Sequence, residues 1–253
     1  MNLNNLFKNS YINTFKMNNA LKRIINKDIK EIKDLKLEEQ GIYIHFNEEN
    51  MLQANAMIIG PEDTPYENGI LFFEINFPTN YPFSPPLIYY YSYSRYRIHP
   101  NLYVGKSSNN HLGKVCLSII NTWAGPRWTT IMHIGSVLLS IQSLLCKNPL
   151  QNEPGFENEI GIKNDTYNRL VEYDTFYHLI LNNGFKIPTQ YMFFENTIKE
   201  HLSNKKEIIL KKIHDLVKKN PTKEKVYLDI YGLCRVFEYD ELYKISQKSL
   251  SKI

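Results

Sequence analysis

The first run of helix-spaced apolar positions is ALKRIINKDIKEIKDLKLEE, where Leu21, Ile24, Ile25, Ile29, Ile32 and Leu35 recur on one face with Lys and Glu between them. Asn18 or Asn19 stands where an N-cap belongs and Gly41 where the run ends, so the spacing predicts an amphipathic helix. The period then drops to two. GIYIHF, MLQANAMIIG and ILFFEINFP, separated by a turn at 47–50 and by GPEDTPYENG, read as three consecutive antiparallel strands. PTNYPFSPP holds too many prolines for a hydrogen-bonded ladder, and LIYYYSY behind it reads as a fourth, edge-type strand. TTIMHIGSVLLSIQSLL returns to helical spacing with a Thr at its start; it is the one strongly buried helix and must pack on the sheet.

Beyond NPLQNEPGF the pattern loosens, with helix-like periods near 162–182, 189–218 and 238–250. The expected organisation is a flexible tail over 1–17, a core domain over 18–157 and a helical extension over 158–253. The core is α+β: an N-terminal helix, a four-stranded antiparallel meander covered on one face, a cysteine loop and a buried central helix. No repeat is visible at any period, which excludes a solenoid.

Composition narrows the function classes. The chain is 43% apolar and 22% charged with a net charge of +4, which points to neither a nucleic-acid nor a membrane partner. No apolar stretch approaches the about 18 residues of a membrane span. The first 27 residues carry five basic side chains and no acidic one, but nearly all are Lys among many Asn, a flexible tail rather than a transit peptide. Three cysteines without a CxxC or Cys/His spacing imply a reducing compartment and no metal site.

The candidate chemistry lies in GKVCLSII, which sets Cys116 between Val115 and Leu117. Residue type alone leaves two readings open, a buried structural cysteine and a nucleophile. His99 and Asn101 add a third, a papain-like protease, which the order of the residues opposes.

The GPEDTPYENG turn, the YPFSPP segment, the His99-Pro100-Asn101 triplet, GKVCLSI and SVLLSIQSLL with its Pro-rich exit occur in the order found in ubiquitin-conjugating enzymes, which the stretch from 18 to 157 resembles. TWAGPRW, NEPGFE and YNRLVEYDTFYHLI are similar to a subgroup with a long C-terminal helical extension that works with an alternative ubiquitin-activating enzyme. The resemblance implies that Cys116 carries ubiquitin or a ubiquitin-like protein as a thioester and passes it to substrate lysines, usually with a ligase. It assigns loop structure to His99, oxyanion or loop stabilisation to Asn101, and lysine orientation to Glu153. Tyr81-Pro82 falls where the family has a cis peptide. Lys22 and Arg23 match positions that meet the activating enzyme and the ligase, and Phe83 matches a ligase-facing loop. No cofactor is implied, since ATP is used by the upstream activating enzyme. The location implied is the cytoplasm or nucleus, or the host cytoplasm for a virus-encoded chain.

Three departures from the family pattern stand out. The segment LYVGKSSNNHLGKV between Asn101 and Cys116 is longer than usual and reads as a polar lip beside the thioester. Ser118 replaces a common Asp, and Thr130 a common proline. A non-catalytic binding module is the rival of a different class, and the pairing of Cys116 with Asn101 speaks against it. Cys146 and Cys234 are expected to be spectators.

Overall fold

A computed structural model describes residues 18–105 and 111–253, so the expected tail at 1–17 lies outside the described residues. Asn18 is the N-cap, its side chain accepting from the Leu21 N–H at 2.9 Å. The helix starts as α1 (Asn19–Arg23), passes through one π turn (Ile24–Asp28) and continues as α2 (Ile29–Asp34). Its inner face carries an acid as well as apolar groups. Asp28, fully buried, accepts from Arg23 Nε at 3.2 Å, from the Tyr81 hydroxyl at 2.7 Å and from the backbone N–H of Ile134 at 3.1 Å. One carboxylate thereby joins the first helix, the proline segment and the start of the central helix. A buried charge with this many donors is satisfied, and loss of its partners would leave it stranded.

The sheet runs β1 (Ile42–Phe46), β2 (Gln53–Ile59), β3 (Ile70–Asn76), β4 (Leu87–Tyr91) and β5 (Leu112–Lys114), each strand antiparallel to the next. Five strands stand where the periodicity predicts four. The additional strand comes from the long segment before Cys116: Leu112, Gly113 and Lys114 pair with Tyr91, Tyr90 and Tyr89. That part of the expected polar lip is therefore ladder, while 106–110 lie outside the described residues. The central helix α3 (Ile134–Leu144) begins later than the Thr pair implies, because His133 is the cap: its Nδ1 accepts from the Ser136 N–H.

The second correction concerns the faces of the sheet. ILFFEIN reads as an alternating strand, yet Ile70, Leu71, Phe72 and Phe73 are all buried. Leu71, Phe73 and Ile75 share their face with Ala54, Ala56 and Ile58, in one hydrophobic cluster with Ile134, Val137, Leu138 and Ile141 of α3. Ile70 and Phe72 point the other way, toward the extension. A strand covered on both faces shows a continuous apolar run rather than alternation.

The extension is built from α4 (Ile162–Asp174), a π-helical stretch (Thr175–Asn182), α5 (Asn183–Phe185), a 3-10 segment (Thr189–Phe194), α6 (Glu195–Lys219) and α7 (Tyr239–Leu250). It is not wholly helical. Between α6 and α7 a hairpin of β6 (Glu224–Leu228) and β7 (Leu233–Phe237) interrupts it. Tyr191 stacks on Phe72 with ring centroids 4.4 Å apart and meets Tyr91 edge-on at 5.5 Å. Asn183 donates to the Ile70 carbonyl at 2.6 Å and Asn55 to the Gln190 carbonyl at 3.0 Å. Buried Asp174 accepts from Ser94 Oγ at 2.8 Å. Its other oxygen is 3.1 Å from Arg235 Nε but out of line for a hydrogen bond, so that contact is ionic.

Tyr191→Ala tests this integration. Deleting a fully buried aromatic ring costs about 3–5 kcal/mol. The expected result is a lower thermal midpoint with one cooperative transition seen both in tryptophan fluorescence, which reports Trp123 and Trp128 of the core, and in far-UV dichroism, which the extension dominates.

Candidate active site

The segment His99–Tyr103 is laid antiparallel against Lys114–Cys116. Bridges join His99 with Leu102 and Leu102 with Val115; the Tyr103 N–H donates to the Lys114 carbonyl at 3.0 Å, and the Cys116 N–H to the Asn101 carbonyl at 2.8 Å. Asn101 closes the ring from its side chain, Nδ2 donating to the Cys116 carbonyl at 2.7 Å. A carbonyl can only accept, which fixes the orientation of the amide. Past the cysteine, Thr122 Oγ1 accepts from the Leu117 N–H at 2.8 Å and donates to the Val115 carbonyl at 2.9 Å. Cys116 is thus pinned on both sides. The approach is close enough to require glycine upstream: a Cβ on Gly113 would lie 1.7 Å from the Tyr103 carbonyl oxygen.

His99 is completely buried and neutral, since burial pushes its pKa down to about 3. Its Nδ1 accepts from the Asn101 N–H at 2.9 Å, so Nε2 carries the proton and faces the Leu144 carbonyl at 2.9 Å. The imidazole ties the Asn101 turn to the end of α3 and is no general base for the thiol. Cys116 is 4% exposed, and burial raises its thiol pKa; the positive charges of Lys114 and Arg97 and a hydrogen bond from Tyr103 pull the other way. Cys146 and Cys234 are free and partly buried.

The family profile described as "Ubiquitin-conjugating enzyme" matches residues 24–175. The chain belongs to the ubiquitin-conjugating enzyme family. The proteins named ubiquitin-conjugating enzyme E2 Z of Danio rerio and Homo sapiens are each 39% identical to this family member over 154 residues, 60% of this chain and 44% and 41% of theirs. The chain spans less than half the length of these curated relatives. Their likeness supports the subgroup with a long C-terminal extension. A solved ubiquitin-conjugating E2 domain of Toxoplasma gondii superposes with a TM-score of 0.46 at 24% identity, covering 62% of this chain and 99% of that one.

Within this ubiquitin-conjugating family member the other predicted residues fare differently. Glu153 follows a 3-10 turn (Pro149–Asn152), and its carboxylate accepts from the hydroxyl of Tyr231. Tyr81-Pro82 is cis. Lys22 is exposed on α1, whereas Arg23 is turned inward, bound to Asp28 and donating to the Met132 carbonyl at 2.7 Å. Arg23 is a staple between the first helix and the loop before α3, and among the described residues it is the one cation paired with Asp28. Phe83 is 72% exposed, as is Ile131 at 76%, and Trp128 donates its indole N–H to the Pro82 carbonyl at 2.7 Å, tying the two loops together.

Sequence reasoning missed three residues. Arg97 and Tyr103 flank the His99-Pro100-Asn101 triplet, and their nearness to it was a usable signal. Tyr231, in the hairpin turn of the extension, had none. The Arg97 guanidinium lies 3.7 Å from the Tyr103 ring centroid and 4.4 Å from that of Tyr231.

The buried histidines determine how stability depends on acid. Burial lowers His99 to about 3 and His178 to about 4, below the unfolded value near 6.5, so their contribution is complete above about 6.5 and is lost as pH falls. Asp174 opposes this, because burial raises it to about 6 and the folded state gains its proton first. Two histidines outweigh one aspartate. Between pH ~6 and ~4 these three groups leave a balance of one proton, about 1.4 kcal/mol lost per pH unit, and burial of His45 and His201, which lowers both, acts in the same direction. Urea unfolding midpoints should fall over this range, and His99→Gln, which can keep a donor toward Leu144, should flatten the slope. A midpoint that climbs toward acid would contradict the assignment.

Proposed function

We propose that this chain accepts ubiquitin or a ubiquitin-like protein as a thioester on Cys116 and passes it to the lysines of protein substrates. A ubiquitin-activating enzyme stands upstream, and a ligase brings the substrate. The observation that carries the reading is the thiol itself, held at the end of β5 by the reciprocal bonds with Asn101 and beside the positive charges of Lys114 and Arg97.

In charging, Cys116 Sγ attacks the modifier's C-terminal carbonyl carbon. A new C–S bond forms, the bond to the activating enzyme's cysteine breaks, and that sulfur takes up the proton Cys116 gives up. The acyl group arrives already activated, with ATP used upstream, so the step requires no base, metal or organic cofactor on this chain. In discharge, the neutral amine of a lysine attacks the thioester carbonyl. The C–N bond forms, Cys116 leaves as thiolate, and the amine's proton departs, eased and oriented by the Glu153 carboxylate.

Asn101 is read as the residue that orders the loop, because its amide hydrogen already serves the Cys116 carbonyl. Phe83 and Ile131, exposed on two loops tied by Trp128, are apolar groups for the ligase, and Lys22 remains for the activating enzyme. The extension helps select which activating enzyme or modifier is accepted.

Incubation with an activating enzyme, its modifier and ATP, followed by a non-reducing gel, tests the reading. Wild type should form an adduct that reductant removes, and Cys116→Ser a slower, reductant-resistant ester. A reducible adduct on Cys116→Ala would place the chemistry on another cysteine.

Asn101→Ala separates the two roles of the asparagine by magnitude. It leaves the buried Cys116 carbonyl unpaired, at a cost of about 1–3 kcal/mol in stability. As a loop-ordering residue its loss should slow single-turnover discharge onto free lysine by roughly tenfold, short of the hundredfold or more of a missing oxyanion donor. Discharge slowed beyond a hundredfold with unchanged stability would assign it to the oxyanion instead.

A further inference from the structure

The turn of the β6–β7 hairpin comes back to the active site. Tyr231 sits in that turn with φ 58° and ψ 12°, the left-handed region that a residue with a bulky side chain adopts only against a steric penalty. What holds it there is visible from its side chain. The ring is stacked on the Arg97 guanidinium and meets Tyr167 edge-on at 6.4 Å, while the hydroxyl donates to Glu153. Tyr167 in turn donates to the Arg97 carbonyl at 2.8 Å. Tyr103 also lies over the guanidinium; it is 37% exposed and, with Lys114 and Arg97, is among the groups that draw the Cys116 pKa down against burial. Arg97 also donates to the Pro100 carbonyl, inside the loop that carries Asn101. A continuous path of contacts therefore runs from Glu153 through Tyr231 and Arg97 to Tyr103, two residues from Asn101, whose side chain and backbone hold Cys116.

We propose that Tyr231 is a positioning residue contributed to the active site by the C-terminal extension: its hydroxyl holds the Glu153 carboxylate for the incoming lysine, and its ring, through Arg97, steadies Tyr103 and the Pro100–Asn101 loop that holds Cys116. This rests on the thioester reading above, and it gives the extension a direct part in the chemistry. The two contacts are chemically separable. A phenylalanine keeps the stack and loses only the hydrogen bond; an alanine loses both. A donor to a charged acceptor fixes orientation as well as energy, and discharge depends on that orientation whereas charging does not.

The experiment uses the full chain in two arms. In the first, preformed thioester of wild type, Tyr231→Phe, Glu153→Ala and the double variant is discharged onto free lysine in single turnover. Tyr231→Phe should charge normally and discharge roughly tenfold more slowly, the size expected for one charge-assisted hydrogen bond. On the Glu153→Ala background it should add no further loss, a non-additivity that a merely structural role would not produce. Discharge at the wild-type rate, or losses that multiply independently, would overturn the proposal.

The second arm requires no partner protein. Alkylation of Cys116 by iodoacetamide, followed on its own peptide by mass spectrometry, should be severalfold faster in Tyr231→Ala than in wild type and unchanged in Tyr231→Phe. Equal alkylation of all three proteins, with thermal unfolding showing each folded, would remove the claim that the Tyr231 ring steadies the loop around the thiol. Failure of wild type to charge at all would count against the thioester reading alone, and the alkylation arm would still decide whether Tyr231 governs the thiol.

Discussion

The reciprocal attachment between Asn101 and Cys116 is the constraint on which the site depends. Two short, irregular segments, neither able to hold its shape alone, exchange one backbone bond and one side-chain bond at 2.8 and 2.7 Å. Because the peptide group of Cys116 is bound on both sides, the sulfur's position follows from the backbone. His99 extends the same tie to the end of α3, and Thr122 closes it from beyond the cysteine. Each of these groups is buried or nearly so, which makes each bond costly to lose.

A second, independent attachment organises the opposite end of the core. Asp28 gathers donors from three elements, and its cation, Arg23, reaches across to the Met132 carbonyl. The extension then closes the remaining sheet face through Tyr191 and Asn183 and anchors its own hairpin through Asp174 and Arg235. The ion pairs Asp174–Arg235 and Arg169–Glu224 hold the hairpin to α4, and its turn meets Arg97.

How much of this could be read in advance depended on how local the signal was. The first helix with its Asn18 cap, strands β1 to β4, the central helix and the cysteine were legible because each is announced by periodicity or by neighbouring motif residues. β5 was not, since three residues, Leu112 to Lys114, are too short for a period and look like the end of a polar loop. The β6–β7 hairpin was lost for another reason: Val226 and Leu228 on one strand and Leu233 and Phe237 on the other are buried, but the helical periods on either side dominated the reading. The tie of Arg23 to Asp28 was not legible, because nothing local reveals that Asp28 is buried beneath it. Tyr231 could not have been found at all, because its contacts with Glu153 and Arg97 exist only when residues far apart in the chain are brought together.

The covering of β3 on both faces has a consequence for biogenesis. The Ile70 carbonyl and the Asn183 side chain that binds it are 113 positions apart, and Tyr191, which covers Phe72, follows later still. At synthesis rates of roughly 5–20 residues per second, about 6–23 s separate the emergence of the strand from that of its cover. During that interval the nascent sheet presents Ile70, Phe72 and Tyr91 to solvent, an apolar face of the kind that holding chaperones recognise and that neighbouring chains on a polysome can capture. Production of this chain is thereby exposed to elongation speed: slow codons between β3 and the 3-10 segment at 189–194 lengthen the vulnerable interval, and fast ones shorten it.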